Sequence, residues 1–406
     1  MSPISHSHAP DSRYAWVRLC LALTLGTIGS IGMWSVPVAL PAVQADFGVL
    51  RADASMPFTL TMFGFGIGSV LLGRMADRFG IVWPLAGGAL SITTGYALAG
   101  ISQNLWQFAL VHLLVGFGAS ASFGPLVADT SHWFVKRRGI AVALASCGNY
   151  LAGVVMPPIL EHFIARDGWR VGHFGLAVFC GVTMLPLVIA LRGRPPAHFD
   201  EDAGASASAA RGEIGISSNA LTALLFVAGI ACCVAMAMPQ VHIVAYCGDL
   251  GYGPARGAEM LSLMLFFGIF NRIASGLIAD HIGGLRTMLI SSLLQGVALF
   301  LYLWFDGLVS LYIVSALFGL FQGGIVPMYA VIVRELFPPR ESGTRLGIIL
   351  IGTMLGMAAG GWMSGLIFDL TGSYRWAFLN GLGWNLVNVA VVTWLLARPG
   401  RRLAPA

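Results

Sequence analysis

Apolar runs of about 20 residues with almost no charge recur along the whole of this 406-residue sequence. A helix needs about 20 apolar residues to cross the hydrocarbon core of a bilayer, where it satisfies its own backbone hydrogen bonds. The pattern predicts twelve spans, because run 79–128 holds two that separate at Ser102-Gln103-Asn104. The runs cover residues 19–43, 54–73, 79–128, 139–160, 171–191, 214–248, 260–279, 287–305, 307–333, 346–368 and 376–397.

The balance of apolar and charged residues excludes a soluble protein. Hydrophobic residues make up 57% of the chain and charged residues 10%, too few to cover so much apolar core with polar surface. The net charge of +5 comes mainly from arginines scattered among loops, so no basic patch for nucleic acid is expected. A signal peptide is the competing interpretation of residues 13–40, but that stretch is too long and lacks a small-residue cleavage site.

Basic residues accumulate on the cytoplasmic side of short loops, which predicts the orientation of the chain. With the N-terminus inside, five of the 23 Lys and Arg residues fall outside, Arg272 lies within a span, and the others fall inside. Both termini are therefore expected in the cytoplasm. The strong excess of Arg over Lys is typical of a GC-rich bacterial genome, so we expect a bacterial inner (plasma) membrane protein. The five outer residues are Arg51, Arg166, Arg170, Arg256 and Arg375.

The longest hydrophilic segment divides the predicted spans into two groups of six. It carries Pro195-Pro196, an acidic triplet and an Ala/Ser run, as flexible linkers do. The fold class that we predict is an all-α membrane protein with twelve transmembrane helices in two pseudo-symmetric six-helix bundles. The predicted parts are a cytoplasmic tail (1–12), an N-terminal bundle (13–195), a cytoplasmic linker (196–216), a C-terminal bundle (217–397) and a second cytoplasmic tail (398–406).

The two halves contain an internal repeat with an offset of 203 residues. Residues 73–80 (GRMADRFG) follow the second span, and residues 276–283 (GLIADHIG) follow the eighth. Gly116 and Gly319 correspond with the same offset. The repeat also includes a second pair of segments: Trp133-Phe134, followed by a basic run and Gly139, matches Leu336-Phe337, followed by Arg340 and Gly343. In this pair the final glycine of the second copy falls one residue late. A repeat of six spans is typical of transporters built from paired bundles.

These motifs resemble the major facilitator superfamily over nearly the whole chain. The loop with Gly73, Asp77 and Arg78 is similar to the most characteristic motif of that superfamily, and its copy supplies Gly276 and Asp280. The resemblance implies that both loops act in gating, whereas the plainer alternative is ordinary loop capping. The segment from Trp133 to Gly139, together with Arg272, resembles the branch of monocarboxylate porters and oxalate/formate antiporters.

Arg272 is the strongest candidate for substrate binding. It lies eight residues before Asp280, or about 12 Å into the membrane, where a charge is costly unless it faces water or a partner. No span contains an acidic residue in its interior, so an incoming anion is an attractive counter-charge for its guanidinium group. An internal brace is the alternative. By resemblance, carboxylate porters use an arginine at this place, although Gly268 replaces the acidic residue that proton-coupled relatives carry one turn earlier.

Several polar residues in the spans are secondary candidates. His242 in the seventh span has Tyr246 one turn later, and histidine could carry a proton or contact a solute. A packing role is the alternative for His242, and we favour packing for His112 in the fourth span. Phenol groups could bind a carboxylate while their rings line a cavity. The predicted binding set is Arg272, Asn271, His242, Tyr246, Tyr150 and Tyr329, and the other polar candidates are Asn149, Gln322, Asn385 and Asn388.

The sequence predicts a secondary transporter that moves a small organic anion, a monocarboxylate first of all, as a symporter or antiporter. Its partners are that anion and the lipid bilayer, with protons as a candidate coupling ion, and we expect a monomer. The six cysteines lack metal-ligand spacing, so no metal or cofactor is predicted. An enzyme is excluded because the spans gather no acids and bases. A carrier or exporter of a neutral or drug-like solute is the alternative, and a solute receptor is a more remote one.

Overall fold

The computed structural model describes residues 10–135, 137–193 and 216–398, and its regular structure there consists of α-helices. Eleven helical segments among these residues are long and apolar enough to cross a membrane. Val82–Gly100 adds a further 19-residue helix without a charged side chain, so the predicted fold class is confirmed. The helices are α1 (Arg13–Gly29), α2 (Ile31–Phe47), α3 (Arg51–Phe79), α4 (Val82–Gly100), α5 (Leu105–Ala121), α6 (Gly124–Ser131), α7 (Arg138–Ser146), α8 (Gly148–Asp167), α9 (Trp169–Ala190), α10 (Ser218–Asp249), α11 (Pro254–Ile282), α12 (Gly284–Tyr302), α13 (Leu308–Gln322), α14 (Ile325–Leu336), α15 (Pro339–Thr371) and α16 (Tyr374–Ala397).

The described residues cluster into two compact units. The first lies within Met1–Val49 and Met56–Phe199, and the second within Leu50–Ser55 and Asp200–Ala406. The start of α3 therefore belongs to the second unit, although the rest of α3 belongs to the first. The predicted tails (1–12 and 398–406) and linker (196–216) lie largely outside the described residues, so the bounds of the two bundles stay a prediction.

Four of the predicted spans are interrupted near their middles, a feature that hydropathy does not indicate. The first span is interrupted at Ser30 between α1 and α2, and the fifth at Cys147 between α7 and α8. In the fourth, Pro125 has no N–H to donate to Ala121, so α5 ends and α6 begins at Gly124. In the tenth, α13 stops before the pair Gly323-Gly324. Interrupted helices expose backbone groups that a transporter can use for binding.

The same close approach of two helices occurs once in each unit. A Cβ atom added to Gly116 in α5 would overlap the carbonyl oxygen of Thr61 in α3. In the second unit, a Cβ atom on Gly319 in α13 would overlap the carbonyl oxygen of Met264 in α11. Both pairs are related by the 203-residue offset of the repeat. Small residues at such crossings let membrane helices pack backbone to backbone.

The loops that end α3 and α11 also share their backbone geometry. Gly80 has φ +82° and Gly283 has φ +83°, a region that side chains with a Cβ atom rarely adopt. Each donates its N–H over 2.8 Å to a carbonyl four residues earlier, on Ala76 and Ala279. The final glycine of each repeated loop motif therefore has a physical reason.

A buried ion pair joins α1 to α6 in the first unit. Arg18, which the charge pattern assigns to the flank of the first span, lies within α1 and is only 3% exposed. Its guanidinium group donates to Asp129 over 3.0 and 3.3 Å and to the Leu191 carbonyl over 2.7 Å. It also lies 4.5 Å from the centre of the Trp133 ring. Because these contacts use most of its donors, we interpret Arg18 as a structural brace.

Candidate functional site

The break between α13 and α14 lies beside Asn271, Arg272 and Gln322, three of the polar residues of the second unit that the sequence singles out. A Cβ atom added to Gly323 would overlap the backbone of Gly268 in α11, which gives a packing reason for glycine at position 323. A Cβ atom on Gly324 would overlap the side chains of Asn271 and Ser275 in α11. Two glycines in succession thus let α11 approach the open backbone of the break.

Arg272 lies half-buried in α11 beside this break. Its Nε donates to the Gly323 carbonyl oxygen at 3.5 Å, the outer limit of hydrogen-bonding distance. Asn271, its neighbour, donates to the Leu320 carbonyl and accepts from the Ser275 hydroxyl at 3.0 Å. Asn271 is therefore held by the protein, and the guanidinium group of Arg272 is placed next to the backbone of the break.

Gln322, the last residue of α13, is fully buried next to Gly323. Both its Nε2 donor and its Oε1 acceptor lack a hydrogen-bond partner among the described residues. A buried polar group left unpaired costs about 1–3 kcal/mol. The amide therefore needs a partner that the described chain does not supply, such as water or a solute. The sequence names Gln322 only as a polar candidate, since its isolation depends on the break.

His242 and Tyr246 lie in a second group at the far end of α10. His242 is fully buried, with Nε2 2.7 Å from the Gly361 carbonyl and Nδ1 3.2 Å from the Tyr374 hydroxyl. Because a carbonyl only accepts, Nε2 carries the hydrogen, and Nδ1 accepts from Tyr374. Tyr246 packs edge-on against Tyr374, with 5.3 Å between the ring centres. The structure thus brings His242 and Tyr246 together, in a group separate from the break between α13 and α14.

Tyr374 connects this group to an ion pair that the sequence does not reveal. Arg51, in the part of α3 that clusters with the second unit, donates to the Tyr374 hydroxyl at 2.6 Å and to Asp249 at 3.0 and 3.1 Å. Asp369 accepts from the backbone N–H groups of Arg51 and Ala52 at 2.9 and 2.7 Å. Tyr246, Asp249 and Tyr374 also line a cavity of about 290 Å³ in the second unit.

The two remaining tyrosines of the predicted set lie elsewhere. Tyr150 is in α8 of the first unit and is 5% exposed. Tyr329 in α14 is fully buried, and its hydroxyl lies 3.4 Å from the Cys232 thiol. Cys232 is ten residues before His242 in α10, a distance of about 15 Å along a helix. The predicted set is therefore spread over several places, and its role in binding stays a prediction.

The predicted gating residues all lie at the ends of α3 and α11. Asp77, Arg78 and Asp280 are exposed, and an added Cβ atom at Gly73 or Gly276 would meet nothing within 4 Å. These two glycines are thus not required by packing in this conformation. The gating role stays a prediction.

The chain consists of apolar, membrane-length helices in two units, with interrupted spans and a half-buried arginine beside one break. These features define a multi-pass membrane transporter rather than an enzyme. Comparison with known proteins agrees with this class. A family model described as Major Facilitator Superfamily matches residues 22–311 and 260–406. The chain belongs to the Major Facilitator Superfamily.

Similar proteins include members named as monocarboxylate transporters. Monocarboxylate transporter 13 of Bos taurus is 26% identical over 384 residues, which cover 91% of this chain and 86% of that protein. An uncharacterized MFS-type transporter, YcxA of Bacillus subtilis, is 25% identical over 350 residues, or 82% of this chain and 83% of that protein. The crystal structure of the nucleoside transporter NupG has a TM-score of 0.72 at 13% identity, covering 94% of this chain and 100% of that one. At that identity, the structural likeness supports the fold alone.

Proposed function

We propose that this protein is a secondary active transporter that moves a small organic anion, a monocarboxylate first of all, by alternating access between its two bundles. The observation that carries the proposal is the polar group at the break between α13 and α14. There the guanidinium group of Arg272 lies beside the Gly323 carbonyl, and the buried amide of Gln322 lacks a partner among the described residues. The similarity to monocarboxylate transporters over most of the chain supports the same substrate class.

The chemistry of this group suits a carboxylate. A guanidinium group can donate two parallel hydrogen bonds to the two carboxylate oxygens, and such charge-assisted bonds are about twice as strong as neutral ones. The Gln322 Nε2 could donate a further bond, and its Oε1 could accept from a hydroxyl group on the solute. Asn271 would position the neighbouring Arg272, because its own amide is held by Leu320 and Ser275.

Protons are the coupling ion that we propose, with His242 as the carrier. Its Nδ1 lone pair accepts from the Tyr374 hydroxyl, and Tyr374 lines the 290 Å³ cavity. A proton could therefore pass from water in the cavity to Nδ1 through the phenol group. We also propose that the exposed Asp77 and Asp280 loops gate the transport cycle and that both termini lie in the cytoplasm of a bacterial cell.

Uptake by proteoliposomes tests the substrate class. Purified protein is reconstituted and offered radiolabelled short monocarboxylates, dicarboxylates and the matching uncharged amides. We expect saturable uptake of a radiolabelled monocarboxylate. The unlabelled acid should inhibit this uptake by competition, and the matching amide should not. Liposomes without protein provide the background. Uptake of amides or neutral drug-like solutes with no uptake of any carboxylate would show that the alternative substrate class is correct.

A further inference from the structure

Two buried histidines of the first unit meet at the end where α5 and α9 begin. His112 lies in the third turn of α5 and His173 in the second turn of α9. Both side chains are fully buried, and their ring centres are 5.6 Å apart. The proposed transport mechanism uses neither residue. They lie 61 positions apart in the sequence, so no local pattern connects them.

Each ring has one nitrogen engaged and one without a partner among the described residues. The Nδ1 of His112 lies 2.7 Å from the Phe108 carbonyl, and the Nδ1 of His173 lies 2.7 Å from the Trp169 carbonyl. Since a carbonyl only accepts, both Nδ1 atoms carry hydrogen. In the neutral rings, both Nε2 atoms then present a lone pair, and neither has a hydrogen-bond partner in the described part of the chain. Histidines that bind metals almost always donate their other N–H in this way.

We propose that His112 and His173 bind one monovalent copper ion, Cu(I), through their Nε2 atoms. Metal–nitrogen bonds are about 2 Å long in imidazole sites, and ring centres 5.6 Å apart permit two nitrogens to share one ion. Within the described residues, no third histidine, cysteine or carboxylate joins the pair. Two-coordinate binding suits Cu(I), whereas Zn²⁺ normally requires four ligands.

The surroundings of the pair favour a single positive charge over a double one. Phe108 packs against both histidines, with ring centres 4.3 Å from His112 and 5.2 Å from His173. The ring centres of Trp169 and Tyr96 each lie 5.8 Å from the ring centre of His173. Aromatic faces attract cations, and no carboxylate among the described residues joins the pair to neutralise a divalent ion. The ion would join α5 to α9 at this end of the first unit.

The test measures Cu(I) binding by the purified full-length protein in lipid nanodiscs, in competition with a chromophoric Cu(I) chelator. The variants are His112→Gln, His173→Gln and both together, and the matched control is His162→Gln on the exposed side of α8. We expect wild type and control to hold one Cu(I) more per chain than either single variant. The double variant should lose no further ion, because both nitrogens bind the same one. The six cysteines are common to all these proteins, so thiol binding cancels in the difference.

A second measurement needs no substitution. Wild-type protein with ¹⁵N-labelled histidine is titrated with Ag(I), a probe that binds like Cu(I) and has a nuclear spin. We expect silver–nitrogen coupling on the Nε2 signals of two histidines whose Nδ1 carries the hydrogen. Equal Cu(I) binding in all the proteins, or silver titration without such coupling, would overturn the proposal and leave a bridging water as the partner of the pair. Because neither readout involves transport, failure here is distinct from failure of the proposed substrate class.

Discussion

In each unit, one of the interrupted spans packs against a neighbouring helix through a glycine at the same position of the repeat. In the first unit the break between α5 and α6 lies beside α3, with Gly116 against Thr61. In the second, the break between α13 and α14 lies beside α11, with Gly319 against Met264. The packing of the helices is thus the same at positions 203 residues apart, but the side chains at the two breaks differ.

The polar group of the second unit has no equivalent in the first. The positions that correspond to Asn271, Arg272 and Gln322 are Gly68, Ser69 and Ala119. The Ser69 hydroxyl donates to its own helix, to the Phe65 carbonyl at 2.8 Å. The two halves thus share the helix crossing but carry different side chains. The difference places the proposed recognition of the anion in the second unit, and substitutions at matching positions can test it.

The largest effect is expected at Arg272. Truncating one partner of a hydrogen-bonded charge pair that is buried in the complex costs about 2–5 kcal/mol, so Arg272→Ala should lower carboxylate uptake by roughly 30-fold or more. Arg272→Lys should recover little, because an ammonium group cannot make the two-pronged contact. The matched control, Ser69→Ala, should transport like wild type. Initial uptake rates in proteoliposomes with equal protein content give the comparison, and wild-type uptake by Arg272→Ala would refute the assignment.

The next effect concerns the helix crossing, where the two units should respond alike. Gly116→Ala and Gly319→Ala each place a methyl group onto a backbone carbonyl, and such overpacking costs about 1–3 kcal/mol. We expect both variants to lower the thermal unfolding midpoint by several degrees. Gly66→Ala and Gly276→Ala serve as controls, since an added Cβ atom meets nothing within 4 Å there. Destabilisation in one unit only would show that the crossings are not equivalent.

Gln322→Leu should separate binding from folding. If the amide bonds the carboxylate, its loss should raise the KM for uptake by about 10-fold, the value of one hydrogen bond to a charged group. Stability should not fall, because two unpaired buried polar atoms are removed. The control is Gln295→Leu, whose fully buried amide donates to the Cys232 carbonyl at 3.4 Å. An unchanged KM in Gln322→Leu would exclude a substrate contact.

The parts of this structure that sequence could predict are those set by the bilayer and by local spacing. A bilayer requires apolar helices of fixed length, so hydropathy locates the spans, and a lone charge such as Arg272 stands out in an apolar run. The helix breaks depend on the backbone N–H that Pro125 lacks and on the tertiary contacts around Gly323. The isolation of Gln322 and the meeting of His112 with His173 follow from those tertiary contacts, and residues so far apart leave no signal in a single sequence.

His242 should affect coupling more than transport itself. Its counterpart in the first unit is the buried Ala39, so a proton carrier would also be specific to the second unit. In His242→Gln, we expect the uptake rate to be the same with and without a pH gradient, while counterflow exchange of the solute persists. Tyr374→Phe removes the hydroxyl that contacts Nδ1 and should weaken coupling in the same direction. Proton-driven uptake that survives in His242→Gln would move the proton site elsewhere.

The smallest effects are expected at the two gating loops. Asp77 and Asp280 are both exposed, and the loops end in glycines of nearly equal φ. The loops differ in their contacts, since in the second unit Glu335 accepts a hydrogen bond from the Gly284 N–H at 2.9 Å and thereby fixes the start of α12. The matching positions in the first unit are His132 and Ile81, which offer no carboxylate.

We therefore expect Asp77→Asn to shift the balance between inward-open and outward-open states more than Asp280→Asn does. Alkylation rates of single cysteines introduced at either end of the bundles report that balance. The variant Glu335→Gln should make the second loop as sensitive as the first, so that Asp280→Asn in that background shifts labelling as far as Asp77→Asn does alone. If both aspartate variants label like the parent, the loops serve only to connect helices, and their equal backbone geometry is a feature of packing alone.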